Sequence, residues 1–173
     1  MSSNEKAVST EYLKVIKSRF ISMKDTAEKT FEQLDDQDLF WYPNENSNSI
    51  TVIVKHMSGN MISRWTDFLH SDGEKPYRDR DGEFEHTISS RKELYEVWNK
   101  GWDVFFKAID SLTEEHLLHV IYIRKEPHTV IEAIERQMYH YSYHIGQIVY
   151  IAKLLKSDQW RCLTIPRNKK STS

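Results

Sequence analysis

Apolar residues recur at three- and four-residue steps over most of the chain, the spacing that lines one face of an α-helix. Tyr12, Val15, Ile16, Met23, Ala27, Phe31 and Leu34 predict a first amphipathic helix from about Ser9 to Leu34. After the polar run 43–48, Asn48 or Ser49 offers a cap for a second helix. Its buried stripe is Ile50, Ile53, Met57, Met61, Trp65 and Phe68, and it ends near His70. Ser90 with Glu93 reads as a capping box that opens a third helix, with Leu94, Val97, Gly101, Phe105 and Ile109 on one face and an end near Ser111. A short helical turn begins at Thr113. The alternation in Val120-Ile121-Tyr122-Ile123, followed by Lys125-Glu126-Pro127, predicts a short hairpin-like extended segment. Thr129 with Glu132 forms another capping box and starts a fourth helix that runs to about Lys156.

Four long amphipathic helices without a repeat predict an all-α four-helix bundle. The 71–89 connection is long, charged and interrupted by glycine and proline, and it can carry the chain back along the bundle. The expected order is therefore up-down-down-up, with a long crossover between the second and third helices and a short extended segment before the fourth. At 173 residues the chain fits one domain, 1–173, with an ordered core of about 9–166. A domain of that size buries about 70% of the surface its unfolded chain exposes and needs no covalent staple.

Charge narrows the classes of partner. There are 24 lysines and arginines against 26 acidic residues, interspersed along the chain, so no basic stripe suggests nucleic acid. The one basic cluster, Arg167-Asn168-Lys169-Lys170, reads as a solvated end. The single cysteine, Cys162, cannot form an internal disulfide and is expected as a partly buried thiol. The first ten residues lack the apolar core of a signal peptide, and no stretch approaches the 18 or so apolar residues of a membrane span. A cytoplasmic protein without membrane contact is expected.

The candidate chemistry is histidine. His140 and His144 are four apart, so their imidazoles lie about one helical turn from each other on one face and can share a cation. Two ligands need a third, and His56 is the candidate. If the second and fourth helices run antiparallel, His56 lies 14 residues before His70 and His144 lies 14 after Val130. Both then stand about 21 Å from a shared end of the bundle. Ala133, Gln137, His140, His144, Gln147 and Ile151 form one line, apolar at its ends and polar in the middle, opposite Ile53, His56 and Asn60. Histidines on an apolar face also serve as hydrogen-bonded core residues, and both readings stand at this point. His116 and His119 with Glu114 and Glu115 read as a solvated face, and His86 and His128 as loop residues. The run 75–81 reads as a salt-bridged surface or dimer-contact loop, with a lid near the histidines as the alternative. Most of the five tryptophans and seven phenylalanines should be core.

Several segments together resemble the DinB/YfiT-like superfamily of metal-binding four-helix bundles, in particular a bacterial branch of uncharacterised function. They are Ser47-Asn48-Ser49-Ile50 with Val52-Ile53-Val54-Lys55-His56, Ser63-Arg64-Trp65-Thr66-Asp67-Phe68, Asp72-Gly73-Glu74-Lys75-Pro76, Arg78-Asp79-Arg80-Asp81, Glu126-Pro127-His128-Thr129, and the stretch 140–150. The similarity spans about Ser9 to Pro166. It implies an up-down-down-up bundle whose divalent metal, usually nickel or zinc, is held by one histidine from the second helix and two from the fourth. These map onto His56, His140 and His144. Three neutral imidazoles leave coordination positions for water or substrate. Asn60, Gln137, Tyr143 and Gln147 are the polar neighbours expected to hold the second ring nitrogens. The implied function is a metal-dependent enzyme, a thiol transferase or hydrolase acting on a small molecule such as a low-molecular-weight thiol. The alternatives are a non-catalytic, metal-dependent small-ligand binder and a stress-response interaction protein. The resemblance and the aromatic content also imply a homodimer.

Overall fold

A computed structural model describes residues 3–166. The described residues are mostly helical, with five α-helices, three single 3₁₀ turns and one two-stranded sheet. The tail cluster Arg167 to Lys170 lies outside the described residues.

Helix α1 spans Ser3–Phe31, beginning six residues before the predicted Ser9 and ending three before Leu34. Residues 3–8 contain no helix breaker, and Glu5 suits the positive end of the helix dipole. At the other end the bonds Gln33 N–H to Thr30 C=O and Leu34 N–H to Phe31 C=O tighten the chain into a turn. Leu34 stays buried beyond the helix. Helix α2, Asp36–Phe40, was not predicted, because five residues are too few to show a period. Its local signal is the reciprocal cap between Asp35 and Asp38.

Helix α3, Ile50–Trp65, starts as expected at Ser49, whose hydroxyl accepts from Val52 N–H at 3.3 Å. It stops five residues short of the predicted His70. Asp67 adopts φ 48°, a left-handed conformation that ends a helix, and residues 66–70 continue as turns. Helix α4 spans Arg91–Asp110, with Ser90 as its cap. The predicted capping box is shifted by one residue, since the Glu93 carboxylate accepts from Ser89 N–H at 2.8 Å and not from Ser90. Helix α5, Val130–Lys156, opens on the predicted Thr129–Glu132 box, with bonds of 2.6 and 3.2 Å.

Side-chain contacts fix how the long helices run. Ser58 Oγ donates to Val97 C=O at 2.7 Å and Trp65 packs on Phe105, so α3 and α4 advance in the same sense. Tyr12 reaches Glu135 and Phe20 packs on Tyr141, so α1 and α5 also advance together. Phe31 packs on Trp98, whereas Phe20 packs on Phe105, so α1 opposes α4. Gln137 bonds Asn60 and His140 meets His56, so α3 opposes α5. Phe20, Trp65, Trp98, Trp102, Phe105 and Tyr141 form one aromatic cluster where these helices meet, and all six rings are buried. Trp41 and Trp160 are only partly buried.

The crossover 66–90 is pinned to α3 and to the hairpin, which explains how a long charged segment is held in place. Ser63 Oγ receives Lys75 N–H at 3.0 Å and donates to Gly73 C=O at 3.2 Å, and Lys55 Nζ donates to Gly82 C=O at 2.6 Å. The predicted hairpin is present as strands β1, Val120–Ile123, and β2, Glu126–Thr129. Its two turn residues, Arg124 and Lys125, both have positive φ, 55° and 66°, as a type I′ turn requires. Neither is glycine, so the conformation needs support. Asp72 gives it, its carboxylate accepting from Arg124 N–H at 2.9 Å and Lys125 N–H at 2.7 Å. This bond ties the hairpin tip to the crossover. No helix among the described residues is long and apolar enough to cross a membrane.

Candidate metal centre

The antiparallel contact of α3 with α5 brings the three predicted histidines together. His140 and His144, one turn apart on α5, face His56 on α3, and the donor nitrogens of the group all lie within 4.8 Å of one another. His140 Nε2 stands 3.3 Å from His56 Nε2 and 3.1 Å from His144 Nε2. His56 and His144 are buried and His140 is half-buried, and with the buried Asn60 and Gln137 they make the α3–α5 interface polar at this level.

Each outward ring nitrogen is held by a different partner. His56 Nδ1–H donates to the carboxylate of Glu83 at 2.9 Å, and the ring stacks on Phe84 at 4.8 Å between centroids. Glu83 is in turn gripped by Arg78, whose Nε and Nη2 donate to its two oxygens at 2.7 and 2.9 Å. Glu83 and Arg78 are both buried beneath the crossover. Room for the carboxylate comes from Gly59, since a Cβ there would stand 2.2 Å from Glu83 Oε1. This glycine sits in the middle of α3 because the loop carboxylate lies against the helix backbone. His144 Nδ1–H donates to Gln147 Oε1 at 2.8 Å. His140 Nδ1 meets the Gln137 side-chain amide at 3.0 Å, and that amide also donates to Asn60 Oδ1 at 2.9 Å.

Of the four polar neighbours expected from the sequence, Gln137 and Gln147 touch ligand-candidate rings and Asn60 acts one step removed. Tyr143 does not take part. It is more than half exposed, and its ring lies edge-on to His144 without a hydrogen bond. Glu83 was missed altogether. It lies in a 3₁₀ turn, Gly82–Phe84, within a loop that has no periodicity to place it. Within the run 75–81 the ion pairs are those of Arg78, to Glu74 and Glu83, and through Glu83 the run is linked to His56.

The electrostatics keep His140 and His144 neutral. Burial, reinforced by the neighbouring imidazoles, pushes His140 down to about 3, and burial pushes His144 down to about 4. Burial works to raise the Glu83 carboxyl, but hydrogen bonds from His56 and Arg78 outweigh it and hold the group below its ordinary value. With Nδ1–H of His56 and of His144 pointing at acceptors, the lone pairs at their Nε2 point inward, as a metal ligand requires. Gln137 Nε2, in contrast, faces His140 Nδ1 as a donor, so His140 presents its Nε2 lone pair only with that amide turned to place its oxygen at Nδ1. The donor set fits a late first-row ion. Two nitrogens each about 2.0–2.1 Å from a tetrahedral ion stand about 3.3 Å apart, close to the separations seen around His140. These three histidines can hold a metal ion.

Three of the other five histidines are held locally. His116 Nδ1 accepts from Thr113 N–H at 3.0 Å and caps its own turn, His86 stacks on Tyr42, and His128 Nδ1 contacts Glu126 C=O. His56, His140 and His144 are the one group of three metal-ligating side chains of this kind among the described residues. Cys162 is exposed, against the expectation of partial burial, because it follows the end of α5 and packs against no helix face.

The model of one protein family, described as a protein of unknown function (DUF1572), matches residues 7–169, nearly the whole chain. No curated protein matches the chain.

Proposed function

We propose that this chain, which belongs to that family of unknown function (DUF1572), is a metal-dependent protein of the DinB/YfiT type that holds one divalent ion at His56, His140 and His144. The observation that carries this reading is the convergence of three inward Nε2 atoms whose opposite ring nitrogens are all engaged. The helix directions given above support reading the molecule as one up-down-down-up bundle, 1–173, with the site between the second and fourth long helices. A nickel or zinc ion in such a set supplies Lewis acidity, which yields a nucleophile from water or a thiol at neutral pH. Glu83 fixes the proton of His56 at Nδ1 and orients its ring, Gln147 does the same for His144, and the Gln137–Asn60 pair holds His140. One or more ligands of such an ion would come from outside the chain, which suits a thiol transferase or a hydrolase acting on a small molecule.

The first test is elemental analysis of protein purified without chelators. About one divalent ion per chain is expected in wild type and in His116→Ala, whose imidazole only caps a turn. Metal-free wild type that takes up no nickel or zinc on titration would sink the reading. Turnover is tested separately, with metal-loaded protein and a panel of thiols, electrophiles and esters. No rate above that of the free ion, with a small ligand still bound at the site, would replace the enzyme with a binding protein.

We also propose that two copies associate. Tyr143, Tyr150 and Leu154 follow one another on α5 at helical spacing, and each is more than half exposed. Burying such a stripe against a twofold mate removes apolar surface from water. Light scattering at micromolar concentration should return twice the chain mass of 20.6 kDa. A monomeric mass would count directly against it.

A further inference from the structure

A cavity of about 390 Å³ opens beside His56 and His140, and five of the residues that line it are arginines. Three of them are already engaged. Arg78 grips Glu83, Arg124 Nε pairs with Glu74 at 3.1 Å, and the Arg80 guanidinium stands 6.0 Å over the ring of Phe84. The other two are not. Arg64 is 5% exposed, yet its Nε and Nη1 have no hydrogen-bond partner, and its one ion pair, to Glu74, is long at 3.9 Å. Arg136 has no ion pair among the described residues. No carboxylate lines the cavity.

A guanidinium buried with most of its donors unused is costly, and a second cation beside it adds to the cost. Burial and the nearby Arg136 push Arg64 down to about 10, which shows how poorly its charge is compensated from within. The surrounding chain is nevertheless shaped around this side chain. Gly73 abuts it, and a Cβ there would stand 2.7 Å from Arg64 Cδ and 3.2 Å from Nε. Helical spacing aligns the two arginines with the histidines. Arg64 follows His56 and Asn60 at eight and four residues on α3, and Arg136 precedes His140 by four on α5. At about 1.5 Å per residue the arginines lie about 6 to 12 Å along the helices from the imidazoles.

Resting on the metal-site reading above, we infer that the small molecule handled at this site carries an oxyanion, a carboxylate or a phosphate, which binds Arg64 and Arg136 while its reacting end reaches the histidines. Planar guanidinium groups match both oxyanions, and charge-assisted bonds to them are short and strong. A neutral or cationic molecule would leave Arg64 unpartnered. The substrate is therefore an elongated anion whose charged group lies several bonds from the atom that reacts.

The test is calorimetric titration with inorganic phosphate and, separately, with succinate, on protein stripped of metal with a chelator that is then removed, so that binding at an ion cannot contribute. Saturable binding of at least one anion is expected, and the preferred probe tells phosphate from carboxylate. Arg64→Met and Arg136→Gln should each weaken it by about 10- to 100-fold, the worth of one charge-assisted contact. Lys14→Met, at a residue that does not line the cavity, should leave it unchanged. Arg64→Met should also melt no lower than wild type, because it removes an uncompensated buried charge and keeps the apolar stem. Arg136 is exposed, so its variant tests the site without touching the core. No saturable binding in wild type, or wild-type binding in both arginine variants, overturns the inference. Metal uptake with no anion binding would leave the metal reading intact and remove this one. Anion binding in a protein that takes up no metal would do the reverse.

Discussion

Replacing Glu83 with alanine is expected to lower the stability of the ion-free protein by about 3–5 kcal/mol and to weaken metal binding by about 10- to 100-fold. The two effects have separate causes. Arg78 is buried, and its strong partners are the two oxygens of Glu83. Without them a guanidinium stays in a low-dielectric setting with only Glu74, 3.4 Å away, so the cost should fall toward the lower end of the range. Affinity falls because His56 loses the acceptor that fixes its proton at Nδ1 and its ring toward the other two. Glu83→Gln keeps a carbonyl oxygen for His56 but not the charge facing Arg78, so it should lose stability with a smaller change in affinity. Gly59→Ala approaches the same carboxylate from the helix side. Alanine normally stabilises a helix interior by about 0.5–1 kcal/mol over glycine, but here the added methyl collides with Glu83. Its expected signature is weaker metal binding with little change in the urea midpoint. Urea unfolding in the presence of chelator and competition with a chromophoric chelator measure the two quantities. A Glu83→Ala protein with wild-type midpoint and wild-type affinity would show that the carboxylate positions nothing.

The histidines were legible in the sequence because helices carry a period. His140 and His144 declare themselves by spacing, and His56 follows once two helices are set antiparallel. That register counted from a helix end at His70, whereas α3 stops at Trp65. The match survives because His56 lies 9 residues before Trp65 and His140 lies 10 after Val130, so these two rings stand level when counted from the observed helix ends. Gln137 and Gln147 were visible on the same line of α5. Glu83, Arg78 and the unengaged state of Arg64 were not. The first two sit in a long loop, where side-chain direction depends on tertiary pinning by Ser63, Lys55 and Asp72. One local sign did exist. Gly59 interrupts α3 away from either end, and an isolated glycine in a helical pattern often marks a close approach by another segment. Arg64 had no reading of its own in the pattern, because a sequence shows a cation but not whether the fold supplies its partner. Helix α2 escaped for a different reason, being shorter than any period can reveal.

Alanine at His56, His140 or His144 should each weaken nickel or zinc binding by more than about 100-fold, beyond the upper end expected for losing a supporting partner. A tridentate set that loses one imidazole keeps two donors, and two surface-competent imidazoles do not retain an ion against a chelator. Gln147→Ala gives the internal scale. It removes the acceptor for His144 Nδ1–H and leaves the ligand in place, so its loss should be about 10- to 100-fold and smaller than that of His144→Ala. The fold should tolerate all three histidine changes. The core is the aromatic cluster around Phe105 and the apolar stripes of the long helices, and most helical stability comes from such packing. Melting of the ion-free variants should therefore stay within about 2–4 °C of wild type, roughly 1 kcal/mol for a chain of this size. Any turnover of metal-loaded wild type on thiols or esters should fall to the rate of the free ion in each variant. If all three histidine variants retain wild-type affinity, the ion sits elsewhere, and the histidine cluster is a hydrogen-bonded core in which the His140 Nε2–H bridges its two neighbours.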